Sequence, residues 1–324
     1  MSAAGKSSPS ALVVAAIAVA VALAAVFPFF VRQQMVVAGT LVLFSCYLAQ
    51  CWNLAAGYAG QFSLGHTVFL AVGAYTSTVL FRDYAVSPWI GIWVGAGLAA
   101  LLGAVLSAVA FWYRVRGVFF AVITLGSVEV FRGLFSGFDI LGGTAGIFLI
   151  SANDPMNMNF LSRIPYYEII LALVVLAAAG TFWLERSRLG QYAMALREDE
   201  EAAEASGVPT FRCKIVVIAI SAAATALAGT FYAQFLLFIV PETLFSFDHM
   251  LNMMLGTIVG GSGTILGPIV GSLLFGVLGD VLRSLPVVNS REAASLVRIG
   301  YGLFLIIIVL RMPRGIVGLW GRRS

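Results

Sequence analysis

Charged residues are scarce in this sequence. They make up only 10% of its 324 residues, whereas 60% are hydrophobic. A water-soluble fold could not bury so much apolar surface in one core of ordinary size, so the composition excludes a soluble globular protein. A membrane barrel is excluded as well, because the sequence lacks the short segments of alternating polarity that barrel strands need. The composition therefore predicts an all-α, polytopic membrane protein.

Cysteine and histidine are also scarce, with three and two residues. Cys46, Cys51 and Cys213 show no CxxC spacing, so we expect neither a disulfide nor a metal site. Residues 5–7 are Gly-Lys-Ser, but they lack the upstream glycine and the strand that a phosphate-binding P-loop requires. The sequence shows no Ser/His/Asp constellation either. We therefore expect no enzyme chemistry and no cofactor bound by this chain.

Apolar runs of about twenty residues, the length that crosses about 30 Å of hydrocarbon as a helix, recur along the chain. They predict about eight to ten transmembrane helices, with candidate spans at 11–31, 35–56, 67–81, 88–113, 118–135, 166–184, 215–240, 250–282 and 296–310. The positive-inside rule places Arg114, Arg116, the loop 185–214 and the tail 311–324 in the cytoplasm. We expect one membrane domain with a first half at about 11–184 and a second half at about 215–310.

The most charged stretch, 184–214, separates the two halves. Within it, residues 198–206 are rich in Ala and Glu, and Gly207 and Pro209 follow, two residue types that end helices. We predict one short surface helix here, lying between two spanning helices.

Glycine interrupts the predicted helices in each half. The run 254–271 is dense in glycine, and the region 250–282 must return to the side where it began if the tail is to end in the cytoplasm. A broken or re-entrant helix would do this. In the first half, Gly57, Gly60 and Gly65 surround polar residues in a similar way. Paired breaks point to a transport site near the middle of the membrane, and approach from opposite sides would suit inverted repeats.

Residues at these breaks are candidates for a translocation path, together with two polar residues elsewhere. They are Gly60, Gln61, Ser63, Gly65, His66, Glu129, Thr144, Gly260, Gly261, Ser262, Gly263 and Thr264. Gln61, Ser63 and His66 could equally be structural, because polar side chains commonly form hydrogen bonds between membrane helices. Glu129 can pair with Arg132 on one helix face, and the pair would either mark the path or brace the bundle. Thr144 lies in a glycine-containing run that a flexible turn would also explain.

Five stretches of the chain match one known family. They are 53–76 (NLAAGYAGQFSLGHTVFLAVGAYT), 116–133 (RGVFFAVITLGSVEVFRG), 141–147 (LGGTAGI), 185–208 (ERSRLGQYAMALREDEEAAEASGV) and 254–271 (MLGTIVGGSGTILGPIVG). These strings recur together and in order over most of the chain. The sequence thereby resembles the LivM-type permease subunits of branched-chain amino acid ABC importers. Ala145 departs from the pattern, since the family often carries Asn there.

The resemblance implies a bacterial inner-membrane amino acid importer. This chain would pair with a LivH-type second permease, two cytoplasmic ATPase subunits that bind ATP and magnesium, and a periplasmic binding protein. Glu201, Ala202, Ala203 and Gly207 match the EAA-x3-G pattern of ABC permeases, which implies the ATPase-coupling element. Urea and short-chain amide permeases share the scaffold, so the substrate stays open. An ion-coupled secondary carrier and a non-transporting assembly subunit are the rival hypotheses.

Overall fold

Helices dominate the computed structural model, which describes residues 11–150, 153–284 and 315–318. The twelve α-helices in these residues are α1 Ala11–Val26, α2 Gln33–Asn53, α3 His66–Tyr84, α4 Pro88–Trp112, α5 Val118–Gly137, α6 Ile164–Arg186, α7 Arg188–Glu198, α8 Glu200–Ala205, α9 Thr210–Leu236, α10 Pro241–Leu244, α11 Phe247–Gly260 and α12 Gly267–Ser284. The predicted span 296–310 and most of the tail 311–324 lie outside the described residues.

The predicted spans are mainly helical wherever the structure describes them. Five helical segments there are long and apolar enough to cross a membrane: Gln33–Tyr58, Pro88–Trp112, Val118–Gly137, Ile164–Arg186 and Thr210–Leu236. α3 has 19 residues but is less apolar, because it carries buried polar side chains that include His66, Ser77 and Thr78. The prediction of a polytopic helical membrane protein is confirmed.

The predicted short helix at 198–206 is present as α8, Glu200–Ala205, but a second helix that the sequence did not predict, α7, precedes it in the charged segment. The chain is extended at Asp199, between α7 and α8, and the Asp199 carboxylate accepts hydrogen bonds from the backbone N–H groups of Glu201 (2.9 Å) and Ala202 (3.1 Å). Aspartate is a favoured N-cap, which explains why α8 starts anew here. Gly207 ends α8 as predicted, with a φ of +84°.

α9 is the central helix of the bundle. It has 27 residues and packs against α2, α3 and α4. α3 approaches it closely, because a Cβ on Gly73 would lie 2.1 Å from the carbonyl oxygen of Ala226. α2 runs antiparallel to α9. Ser221, in the first half of α9, contacts Cys51 near the end of α2, whereas Phe231, near the end of α9, stacks on Phe44, which lies earlier in α2.

α11 and α12 form an antiparallel hairpin against α2. Their backbones touch at the tip, where a Cβ on Gly260 would lie 1.7 Å from the carbonyl oxygen of Gly267. α11 packs along α2, and Thr257 Oγ1 donates to the carbonyl oxygen of Ala49 at 2.9 Å. The region 250–282 therefore returns towards the end of the bundle where it begins, and the predicted helix break is confirmed.

A two-stranded ladder joins the two halves of the chain. Strand β1, Ile147–Phe148, pairs antiparallel with strand β2, Phe238–Ile239, which follows α9. The glycine before β1 lies close against β2, because a Cβ on Gly146 would lie 2.4 Å from the carbonyl oxygen of Ile239. We call this side of the bundle the ladder end. The side that carries α7 and α8, where α9 begins, is the charged end.

Candidate functional site

The two helix breaks contact each other at the charged end. The first break, 54–65, starts with a π-helical turn, Leu54–Tyr58, and the second break, 261–266, separates α11 from α12. Asn53, the last residue of α2, is fully buried. Its Nδ2 donates to the carbonyl oxygen of Thr264 (2.9 Å), and its Oδ1 accepts from the backbone N–H of Gly263 (2.8 Å). One amide side chain thus joins the two breaks.

Arg197, near the end of α7, reaches the same junction. Its Nη1 donates to the carbonyl oxygen of Gly57 at 2.6 Å. The same nitrogen lies 1.9 Å from the place that a Cβ on Gly263 would occupy. The Cα of Arg197 lies 3.3 Å from the Cβ position of Gly60. A cation of the charged segment therefore contacts both breaks, and a side chain at Gly263 would displace it.

The breaks lie at the charged end of the bundle, where Arg197 and Asn53 satisfy backbone groups that the breaks free. A transport site near the middle of the membrane stays a prediction. The expectation that the breaks approach from opposite sides is wrong, because they approach from the same direction. α2 and α11 run parallel, since Ala49 meets Thr257 and, one turn further along each chain, Asn53 meets Gly263. These two breaks are therefore not the inverted pair that an inverted repeat would supply.

Gln61, Ser63 and His66 are buried within or beside the first break. Gln61 Nε2 donates to the backbone carbonyl two residues earlier, at 2.9 Å. His66 Nε2 lies 2.8 Å from Ser221 Oγ, which donates its own hydrogen to the carbonyl oxygen of Cys51 at 2.7 Å. Nε2 must therefore be the donor to Ser221. These contacts support the structural interpretation of the three residues, and their part in a path stays a prediction.

Gly65 connects the first break to α5. A Cβ on Gly65 would lie 3.0 Å from both the Cβ and the carbonyl oxygen of Thr124. The adjacent Leu64 N–H donates to Thr124 Oγ1 at 2.9 Å, and the Gly65 N–H donates to Ser63 Oγ at 3.2 Å. A movement of the first break would therefore change its contacts with α5.

The second break is closed by its own threonine. Thr264 Oγ1 donates to the carbonyl oxygen of Gly261 (2.7 Å) and accepts from the N–H of Gly267 (3.0 Å). Gly260 and Gly261 are buried, whereas Ser262 is exposed. The stretch 315–318 also lies nearby, where the N–H of Ile316 donates to the carbonyl oxygen of Val259 at 2.9 Å.

The two remaining path candidates lie elsewhere. Glu129 pairs with Arg132 as predicted, but on an exposed face of α5, where its side chain is 61% exposed. Thr144 is exposed in the short 3-10 turn before β1. The structure thus brings the residues of the two breaks together, but it brings neither Glu129 nor Thr144 to them.

Ion pairs hold α8 against the bundle. Lys214 Nζ, on α9, lies 2.6 Å from Glu200 Oε2. Arg116, in the turn between α4 and α5, pairs with Glu200 at 3.5 Å and with Glu201 at 3.1 Å. Ala203 is buried in an apolar cluster with residues of α7 and α9. α8 is therefore attached to three other parts of the bundle.

The four residues that match the ABC-permease pattern differ in exposure. Ala203 faces the bundle, whereas Glu201, Ala202 and Gly207 are exposed. Space around Gly207 is open, since a Cβ there would meet nothing within 4 Å. The exposed residues form a surface at the charged end that a soluble partner can reach.

Sequence reasoning did not single out the residues that hold the charged end together. These are Asn53, Arg116, Arg197 and Lys214. Asn53 carried a signal, because an amide at the end of an apolar span and just before a glycine-rich break needs a partner in hydrocarbon. Nothing in the sequence distinguished Arg197 from the other arginines of the charged segment.

Comparisons with known proteins agree with this architecture. A family model described as the permease component of the branched-chain amino acid transport system matches residues 35–310. The high-affinity branched-chain amino acid transport system permease protein LivM of Escherichia coli K12 is 28% identical over 320 residues, which cover 91% of this chain and 72% of LivM. The corresponding protein LivH of Salmonella typhimurium is 28% identical over 162 residues, 49% of this chain and 50% of LivH.

A more distant likeness is to the ribose import permease protein RbsC of Escherichia coli K12, 33% identical over 122 residues, 36% of this chain and 37% of RbsC. No solved structure matches the chain. The family match runs through both helix breaks and both helices of the charged segment. The chain therefore belongs to the family of permease components of branched-chain amino acid transport systems.

Proposed function

We propose that this chain is one of two permease subunits of a bacterial inner-membrane ABC importer for branched-chain or other hydrophobic amino acids. A LivH-type permease, two cytoplasmic ATPase subunits with ATP and magnesium, and a periplasmic binding protein complete the importer. The names of LivM and LivH support the substrate class. In this proposal the charged end faces the cytoplasm, as the distribution of arginines favours.

The contact of Arg197 with both helix breaks is the observation that carries the proposal. α7, which bears Arg197, is separated from α8 only by Asp199. A displacement of α8 by an ATPase would therefore move Arg197, which is hydrogen-bonded to Gly57 and lies against Gly263. Alternating access needs packed helices with two arrangements that the nucleotide state can bias. A shared contact between two helix breaks is suited to such a change.

The two faces of α8 support its assignment as the coupling helix. Glu201 and Ala202 are open to a partner, whereas Glu200 is tied to Lys214 and Arg116 on the opposite side. A force on the exposed face would pass through these ion pairs to α9 and to the turn before α5. It would also pass through the chain itself to Arg197.

The exposed face of α5 supports a second permease. Glu129 and Arg132 lie there beside exposed apolar residues such as Val122 and Val130. Charges facing hydrocarbon are costly, and intramembrane charged residues usually face protein or a water-filled cavity. In this proposal α5 packs against the second permease, and the ion pair faces the passage between the two subunits.

Reconstitution of the complete importer in liposomes tests this function. Leucine uptake should require ATP on the ATPase side and the binding protein on the other side. Uptake by this chain alone, driven by an ion gradient, would show a secondary carrier instead. Uptake of urea but not of leucine would keep the ABC mechanism and overturn the substrate.

Arg197→Ala tests the coupling in the same vesicles. We expect uptake to fall about tenfold while ATP hydrolysis continues, because α8 still docks but α7 no longer contacts the breaks through residue 197. Tenfold corresponds to about 1.4 kcal/mol, close to the net contribution of one hydrogen bond to a charged group. Arg188→Ala, at the exposed start of α7, is the matched control. Equal uptake in the two variants would contradict the proposed role of Arg197.

A further inference from the structure

A cavity of about 380 Å³ lies at the charged end, apart from the junction of the two breaks. Its walls are the end of α4, the turn that follows, α8 and the start of α9. Volumes of this size are typical of sites for small ligands or headgroups. Arg114, Arg116 and Lys214 line it, together with Glu200 and Glu204.

Most of these charges already have partners within the chain. Lys214 pairs with Glu200, and Arg116 pairs with both Glu200 and Glu201. Arg114 and Glu204 form no ion pair with any residue of 11–150, 153–284 or 315–318. The cavity therefore offers one cation and one carboxylate to a ligand that carries both signs of charge.

The surroundings of the cavity belong to a membrane surface. Trp112, which lines it, and the adjacent Tyr113 are each 76% exposed, and aromatic residues of this kind concentrate at the membrane–water interface. Leu101, Val105 and Val109 are exposed along α4 and lead towards the same end. They provide an apolar track for acyl chains directly beside a polar cavity.

Arg114 adopts a conformation that favours glycine. Its φ is +55°, and it occupies the position after the end of α4. The Arg114 N–H donates to the carbonyl oxygen of Phe111, and the Val115 N–H donates to the carbonyl oxygen of Ala110, both at 3.0 Å. These two bonds form a Schellman motif, in which the position of Arg114 is usually glycine. A strained residue kept at such a position points to a use for its side chain.

We propose that this cavity binds the headgroup of an aminophospholipid, with its phosphate at Arg114 and its primary ammonium at Glu204. The acyl chains then lie along the exposed face of α4. Because α8 forms one wall, a bound headgroup also braces the helix that carries Glu201. The proposal depends on the membrane-spanning architecture and not on the identity of the transported substrate.

The test uses the full chain in nanodiscs and measures the midpoint of thermal unfolding. Phosphatidylethanolamine should raise the midpoint by about 3 °C over phosphatidylcholine when the lipid is present at about ten times its dissociation constant. The reason is that the trimethylammonium group of phosphatidylcholine cannot donate hydrogen bonds to Glu204. Arg114→Gly should abolish this difference. Since glycine relieves the positive φ, the variant should be at least as stable as the wild type in phosphatidylcholine, so loss of folding cannot explain the result.

Glu204→Gln should also lose the difference, whereas Arg212→Ala should keep it, because Arg212 is exposed at the start of α9 but does not line the cavity. Native mass spectrometry should show one more retained phosphatidylethanolamine on the wild type than on Arg114→Gly. An equal shift in Arg114→Gly and wild type would overturn the site. Equal protection by soluble phosphoethanolamine would overturn the assignment to a lipid.

Discussion

Asn53→Ala should separate the two helix breaks. Asn53 is fully buried and makes one hydrogen bond to each of Gly263 and Thr264. Its removal leaves a backbone N–H and a carbonyl oxygen without their partner, at about 1–3 kcal/mol each. The expected loss of about 2–6 kcal/mol is a large part of the stability of an ordinary domain. Hydrogen exchange at the Gly263 amide should therefore accelerate by at least tenfold, and the midpoint of thermal unfolding should fall.

The control for this prediction is Gln50→Ala, one turn earlier on α2. Gln50 is equally buried, but its Nε2 donates to Thr181 Oγ1 on α6 rather than to a backbone group of either break. This variant should also be less stable, yet exchange at Gly263 should change no more than the global unfolding demands. If Asn53→Ala leaves exchange at Gly263 at the wild-type rate, the junction does not depend on this amide and the reasoning is refuted.

Three further substitutions test the packing and the caps. Gly73→Ala should destabilise the chain by about 1–3 kcal/mol in thermal unfolding, because its Cβ would lie 2.1 Å from the carbonyl oxygen of Ala226. The control is Gly97→Ala, which should be neutral or stabilising because a Cβ there would meet nothing within 4 Å. Gly207→Ala should cost about 1–2 kcal/mol through its φ of +84° alone, and hydrogen exchange in α8 should rise; unchanged exchange would contradict the cap. Asp199→Ala should cost about 1 kcal/mol and expose the first amides of α8, while Asp199→Asn should retain most of their protection.

The positions of the helices were largely predictable from the sequence. The predicted spans 88–113 and 118–135 agree closely with α4 and α5, because a run of apolar residues between polar ends fixes the length of a membrane helix. The end of α8 at Gly207 was predictable for a different reason, since a glycine cap is a local feature of the chain. The division at Asp199 was missed because the glutamates and alanines around it all favour helix.

The junction itself could not be predicted, because it depends on contacts between distant parts of the chain. Asn53 and Thr264 are 211 residues apart in sequence. Glycine density indicated two breaks, but it did not indicate that they meet or that Arg197 lies between them. The same freed backbone groups would be satisfied equally well by water in a central cavity. Only the packing of α2 beside α11 decides between these arrangements.

The two-residue ladder ties the two halves of the chain together at the ladder end. Ile147 is paired with Ile239, and the rings of Phe148 and Phe238 stack with centroids 4.1 Å apart, so the halves of the chain are clasped on the side remote from α7 and α8. If Asn53 parts from Thr264 during transport, we expect the α2–α3 and α11–α12 turns to separate at the charged end while this clasp holds the ladder end together. Spin labels beside the clasp should keep their spacing through a transport cycle, while labels at the charged end should move apart.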